Sequence, residues 1–383
     1  MVASVSIKRD VVPGAGATLY ELGAWQLGAL ATASHDLARE LPSMTRVFGH
    51  LLGGSWVRRR IDGAAYACDV VDDGTPFELS LALGCGAQEV RMRVETAHDK
   101  PSLAGRWQAA RSLGTVLRER HGANLARLDR VIDLFEPRSE HARFAMWYAV
   151  GFRPGRAPAW KVYLDLRARG RDNARAVLDE AVDRLGLAAE LAAAHPGAMR
   201  EAGGRDALDE PVYLAIDLAA HGAAHAELYV RHHHATAADL ARAICEAGGA
   251  SADEIRAFCT AVLGHAGPYR ARPPVSCRAL IAGRGPAGPA LHAPIACYVR
   301  DDAEASGRVL RWLDRVGLDT MAYQRALAAF ARRPLDAGVG MHSCVAFERD
   351  AGRPMLTVSL APEAYRTFAP GELAARQMPV PRW

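Results

Sequence analysis

The chain has 383 residues, half of them apolar and 23% charged, with a formal net charge of +4. That length exceeds the ~250–300 residues that one ordinary core reaches, so two domains or one large closed architecture are expected. The composition excludes wholesale disorder, and the small net charge without a dense basic stripe argues against a nucleic-acid binder. No run of about 18 apolar residues offers a transmembrane helix. The opening Met1–Asp10 lacks a basic segment followed by an apolar one, so a cytoplasmic protein is expected.

In chain order, Phe77–Leu83 alternates with period two, placing Phe77, Leu79, Leu81 and Leu83 on one face. Val90–Val94 sets Arg91 and Arg93 opposite three apolar residues. Leu103–Arg120 reads as a helix with Trp107, Ala110, Leu113 and Leu117 on one side, ended by basic residues and Gly122. Strand-like runs follow at Phe144–Phe152 and Trp160–Leu166, the second with Lys161, Tyr163 and Asp165 on its polar face. Asp172 then caps a predicted helix carrying Val177, Leu178, Ala181 and Leu185. The pattern repeats with strands at Val212–Leu218 and Glu227–Arg231, and Thr236 capping a helix with Leu240 and Ile244. It repeats again with Val275–Ile281 and Ala296–Arg300, and Asp301 or Asp302 capping a helix with Val309 and Leu313. Met341–Phe347 and Leu356–Leu360 are the last strands. Pro154–Pro158, Pro196–Gly204 and Gly267–Pro274 read as loops.

The spacing is regular: Tyr163 to Tyr229 is 66 residues and Tyr229 to Tyr298 is 69. This is an internal repeat of strand, strand and helix, over roughly 60–125, 140–190, 210–250, 272–320 and 338–365. Each strand has one apolar and one polar face. Helices covering the apolar faces leave the polar faces to look elsewhere. Closing about ten antiparallel strands into a barrel turns them inward and removes the edges. The fold class is therefore α/β (α+β): one domain, 1–383, with a polar, roomy barrel ringed by helices.

Other motifs carry less. Gly283–Gly288 matches G-x-G-x-x-G, but Pro286, Pro289 and Pro294 leave no room for the helix that a dinucleotide site needs, so a long hairpin loop is expected. His232–His234 reads as a solvated loop, and His221 with His225 as loop entering a strand. The seven cysteines form no C-x-x-C pair and read as buried free thiols. Asp72–Asp73 and Asp301–Asp302 do not extend to D-D-x-x-D, so no metal site is expected. Glu78 stands out. On an ordinary sheet it would face solvent; inside a barrel it must find water or a donor. Lys161, Tyr163, Tyr229 and Tyr298 would share that inner wall. Tyrosine faces stabilise a cation, and Arg or Lys bind the anion that it leaves.

At Gly74-Thr75-Pro76-Phe77-Glu78-Leu79-Ser80 the chain resembles the dimethylallyltryptophan-synthase family of aromatic prenyltransferases. Lys161-Val162-Tyr163-Leu164 resembles that family's Lys-x-Tyr strand, and Leu356–Pro362 its closing strand. The similarity spans about residues 20–365 and points to the bacterial branch. It implies the ABBA prenyltransferase barrel and transfer of a dimethylallyl group from dimethylallyl diphosphate to an indole, with no cofactor required and Mg²⁺ not obligatory. Glu78 matches the glutamate that accepts the indole N–H. Arg91 and Lys161 match diphosphate ligands, and Tyr163, Tyr229 and Tyr298 match cation-shielding tyrosines. His225, Glu227 and Tyr229 stand where the family has Arg-x-Lys-x-Tyr, which places His225 among the diphosphate ligands and replaces a lysine by Glu227. A lysine that serves many members as base lies about thirteen residues before the Lys-x-Tyr lysine; here that position falls near Tyr148, leaving Glu78 or a water as base. Expected partners are small molecules, an allylic diphosphate and an aromatic acceptor, with no nucleic acid and no membrane. Prenylation of a phenol such as tyrosine, and a barrel that binds ligands without chemistry, are the alternatives.

Overall fold

The computed structural model describes residues 12–376 apart from 15, 34–35, 63–67, 85–87, 97, 99–101, 195–204, 220–221, 246–249 and 285–286. Ten strands form one closed antiparallel barrel: β1 Phe77–Gly84, β2 Gln88–Glu95, β3 Trp147–Phe152, β4 Ala159–Asp165, β5 Asp209–Asp217, β6 His225–His232, β7 Val275–Ile281, β8 Ala287–Ala293, β9 His342–Asp350 and β10 Arg353–Leu360. Each strand pairs with its neighbours in sequence, and β10 returns to β1 to close the ring. No edge in the ring is left open, as the polar faces required. At the closure Ser80 lies opposite Ser359, their hydroxyls 3.0 Å apart.

Period two then sorts the side chains. Leu79, Leu81 and Leu83 of β1, Val90, Met92 and Val94 of β2, and Val162 and Leu164 of β4 point outward and are buried under the helices. Glu78, Arg91, Arg93, Lys161, Tyr163, Glu227 and Tyr229 take the alternate positions, inside.

The outer layer holds α1 (Leu19–Ala33), α2 (Leu41–Leu52), α3 (Leu103–His121), the single turn α4 (Ala126–Asp129), α5 (Ala174–Leu185), α6 (Ala188–Ala194), α7 (Ala237–Cys245), α8 (Ala252–Leu263), α9 (Asp302–Arg315) and α10 (Thr320–Phe330). Their ends follow local chemistry. Ser102 caps α3 by accepting from Gly105 N, and Gly122, with φ 68°, ends it in the left-handed conformation. Thr236 and Asp239 form a reciprocal cap at the start of α7. Asp301 caps α9. Phe258 of α8, Trp312 of α9 and Phe347 of β9 meet with ring centroids 5.2–5.4 Å apart, knitting helices to barrel. Truncating such a ring costs about 3–5 kcal/mol.

Four expectations need correction. Ala296–Arg300 is not a strand: Ile295–Tyr298 is a 3₁₀ turn, and β8 is the preceding Ala287–Ala293. Pro294, which cannot donate to a ladder, ends the strand there. The Gly283–Gly288 stretch is not a long loop throughout, since β8 already begins at Ala287. Asp172 does not cap α5; it lies in a 3₁₀ turn, and Asn173 precedes the helix without a side-chain cap. His232 and His233 are buried rather than solvated: His232 bonds Ser276 Oγ and lies 3.0 Å from Asp209, and His233 bonds Glu210. The Met1–Asp10 segment, the Pro196–Gly204 loop, Cys85 and His221 lie outside the described residues.

Among the described residues no helix is long and apolar enough to cross a membrane. Cys68, Cys259, Cys277 and Cys297 are buried free thiols, Cys344 is half-buried, and the half-buried Cys245 donates its thiol to Ala250 O.

Candidate active site

The barrel encloses a cavity of roughly 320 Å³ at one end. Glu78 is at its wall, 4% exposed. It can sit there because two donors hold its carboxylate: Arg93 Nη2 at 2.7 Å on Oε2, and Ser343 Oγ at 2.6 Å on Oε1. Arg93 comes from the facing position of β2, and Ser343 from β9 just past the closure. The guanidinium of Arg93 lies over the rings of Trp147, at 5.0 Å, and Tyr163, at 6.0 Å.

The aromatic wall continues around the ring. Tyr163 and Tyr229 have centroids 5.6 Å apart and hydroxyls 3.5 Å apart. Tyr213 of β5 packs against Trp147 at 5.4 Å and Tyr229 at 6.0 Å. His292 of β8 packs against Tyr229 at 5.6 Å. Burial first, and Arg93 second, hold the His292 pKa down to about 4, so it is neutral near pH 7.

Tyr298 does not join this wall. Its hydroxyl donates to Arg272 O at 2.6 Å and accepts from Arg272 N, and its ring packs on Tyr269 and His265. Sequence spacing points to Tyr298 because Ala296–Arg300 alternates like a strand, although the strand of this repeat is β8, one element earlier. At the matching place on β8 the inward residue is His292. Tyr213 and Trp147, which the sequence reading does not single out, complete the cage: alternation over Val212–Leu218 sets Tyr213 opposite Val212, Leu214 and Ile216, whereas Trp147 lies in a run that is apolar on both faces.

One pleat further along the same strands lies a layer of charges. Lys161 pairs with Glu227. Arg91 pairs with Glu89 at 3.0 Å, and Arg153 reaches the same carboxylate at 2.9 Å. Gly151 makes room for it: a Cβ there would stand 2.0 Å from Glu89 Oε1. His225 stands between Asp217 at 3.5 Å and Glu227 at 3.8 Å. Burial opposes the charge on Glu227, but Lys161, His225 and Tyr229 outweigh it and hold its pKa at about 2. Glu348 of β9 faces the same layer, and burial pushes its carboxyl up despite Arg91. Arg231 turns away from Glu227 to Glu210 and the Tyr213 hydroxyl. Tyr148 points outward toward α3, with its hydroxyl 2.8 Å from where a Gly114 side chain would begin, so it has no access to the cavity.

At the mouth, the Cys68–Asp72 segment leans over the opening. Asp69 pairs with Arg143 at 2.6 Å, and Asp72 with Arg272 in a two-point bond. Among the described residues no group of three or more His, Cys, Asp or Glu side chains is placed to hold a metal ion.

The arrangement is an aromatic cage with one oriented carboxylate above and paired cations below. It can hold a carbocation against π faces while an N–H donor is fixed on Glu78. No family model matches the chain. Solved structures do. The chain is 33% identical to 6-dimethylallyltryptophan synthase from Micromonospora olivasterospora, solved in complex with DMASPP and Trp, with a TM-score of 0.86 over 93% of this chain and 100% of that one. It is 30% identical to the prenyltransferase PriB, solved with L-tryptophan and dimethylallyl thiolodiphosphate, with a TM-score of 0.81 over 93% and 99%. It is 29% identical to 5-dimethylallyltryptophan synthase from Streptomyces coelicolor, with a TM-score of 0.81 over 91% and 99%.

Proposed function

We propose that this chain, which belongs to the dimethylallyltryptophan-synthase family of aromatic prenyltransferases, transfers a dimethylallyl group from dimethylallyl diphosphate to the indole of tryptophan or a tryptophan-derived acceptor, with no obligatory metal. The observation that carries this reading is Glu78: a buried carboxylate held by Arg93 and Ser343 at the edge of a cage of Trp147, Tyr163, Tyr213 and Tyr229. A carboxylate so held has lone pairs left for one more donor, and the indole N–H is such a donor.

The carbon–oxygen bond of the donor breaks heterolytically, and the electron pair leaves with the diphosphate. Arg91, Lys161 and His225 are the residues assigned to that anion, Arg91 and Lys161 supplying positive charge without a metal and His225 a ring N–H donor. Tyr163 and Tyr229 face the allylic cation, each worth roughly 0.5–2 kcal/mol when desolvated. They also exclude the water that would quench it. Tyr213 and His292 extend the shield in the place Tyr298 was expected to fill. The indole attacks the cation, its electron density raised by the N–H bond to Glu78. Rearomatisation then releases a proton, for which Glu78 or a water is the acceptor. Catalysis on this account is positioning plus preorganised charge.

The test is to mix purified protein with dimethylallyl diphosphate and equimolar tryptophan and tyrosine, and follow products by mass spectrometry. The reading expects a gain of one isoprene unit on tryptophan. Gain on tyrosine alone would establish the phenol alternative, and gain on neither would leave a ligand-binding barrel.

A further inference from the structure

Three groups of the charged layer converge on one carboxylate. Lys161 Nζ donates to Glu227 Oε1, the Tyr229 hydroxyl donates to Oε2 at 2.9 Å, and His225 Nε2 lies 3.8 Å from Oε1. The side chain of Glu227 is 14% exposed, and the pair sits inside the barrel, where solvent screens it poorly. The remaining charges do not favour an incoming anion. Arg91 is engaged by Glu89, Asp217 flanks His225, and the Glu348 carboxyl faces the layer from β9. Three cations, Arg91, Arg153 and Lys161, thus share the layer with four carboxyl groups, Glu89, Asp217, Glu227 and Glu348.

From this convergence we infer that Glu227 is a tethered competitor of the diphosphate: its carboxylate occupies the anion's place on Lys161 and His225 and must be displaced for the donor to bind. The inference rests on the assignment of Lys161 and His225 to the donor's diphosphate. An anion entering the layer exchanges one ion pair for another instead of meeting free cations, so its affinity is the difference between the two. The same exchange favours release of the diphosphate product, because Glu227 returns to Lys161 as it leaves. Glu227 is thus a residue that sets donor affinity and product retention, not a ligand of the donor.

The experiment titrates inorganic pyrophosphate into the purified full-length protein by calorimetry. Glu227→Gln keeps acceptor and size but removes the charge, and Glu227→Asp keeps the charge. Glu227→Gln should bind pyrophosphate about tenfold more tightly than wild type or more, and should be the more strongly inhibited by it. Glu227→Asp should stay close to wild type. Equal or weaker binding by Glu227→Gln overturns the inference, as does equal tightening by both variants, which would trace the effect to shape. No binding to any form also overturns it; dimethylallyl transfer by the same preparation then shows whether the donor reading itself survives. A wild-type crystal structure with pyrophosphate gives an independent check that needs no variant. Lys161 Nζ should have left Glu227 for the pyrophosphate, and a retained Lys161–Glu227 pair beside bound pyrophosphate refutes the exchange.

Discussion

Replacing Glu78 by Gln removes one charge from a site whose two donors are known. Arg93 and Ser343 each bond one carboxylate oxygen, so the amide can keep its oxygen on Arg93 and turn its NH₂ to Ser343. The hydroxyl of Ser343 has a second acceptor, Ser359 O at 3.1 Å, and can reorient. Arg93 loses its counter-ion, but its side chain is 28% exposed to the cavity and can be solvated there. The fold should therefore lose only about 1–3 kcal/mol, the worth of a charge-assisted hydrogen bond. The chemistry should lose more. In the transition state positive charge grows on the indole, and Glu78 is the anion assigned to its N–H. Loss of a well-placed electrostatic group costs ~10²–10³ in rate. Steady-state kinetics with tryptophan, beside direct titration of pyrophosphate, separate the effects: kcat should fall by that factor while pyrophosphate affinity is nearly unchanged. A variant that keeps more than about half of wild-type kcat, far short of such a loss, refutes the role of Glu78.

Tyr163→Ala or Tyr229→Ala should raise the ratio of hydrolysed to transferred prenyl group, whereas Tyr298→Phe should leave that ratio unchanged and cost about 1–2 kcal/mol of stability through its lost bonds to the Arg272 backbone. Product analysis with each variant checks this, and an unchanged ratio for both alanine variants removes the shield. Turnover should survive excess EDTA; loss on chelation with rescue by Mg²⁺ would show that the cations of the barrel do not suffice. His292 has a folded pKa of about 4 against 6.5 for a free imidazole. As pH falls below 6.5 the unfolded chain takes up the proton first. The His292 contribution to stability is therefore intact above about 6.5 and shrinks toward pH 4, by up to about 3 kcal/mol, less where cavity water reaches the ring. Denaturant unfolding of wild type and His292→Asn at pH 7.5 and 5 should show the smaller pH dependence in the variant; parallel losses would contradict it.

Why the barrel was readable and one strand was not has a physical basis. Phe77–Leu83 and Trp160–Leu166 alternate cleanly because each buries one face under helices and turns the other to a polar interior. Five such pairs with no free edge imply closure. β8 breaks the pattern, since Ala287-Gly288-Pro289-Ala290-Leu291-His292-Ala293 carries the residues that mark loops. Its neighbour Ala296–Arg300 alternates without being a strand, so period two points to Tyr298 where the inner wall carries His292. Glu78, Lys161, Tyr163 and Tyr229 could be found from period two because inward position is set along a single strand. Their partners could not. That Lys161 meets Glu227 depends on the β4–β5–β6 register, in which Lys161 lies opposite Asp217 and Glu227 opposite Ala215. Ser343 reaches Glu78 only across the barrel closure, 265 residues away in sequence.

The most direct test of the account is a crystal structure of the protein with tryptophan and a non-ionising thio analogue of dimethylallyl diphosphate. The indole nitrogen should lie within hydrogen-bond distance of a Glu78 oxygen, with the prenyl chain against Tyr163 and Tyr229 and the diphosphate on Arg91 and Lys161. An indole bound away from Glu78, or a diphosphate seated at the Arg143 and Arg272 mouth instead of the inner layer, would contradict it.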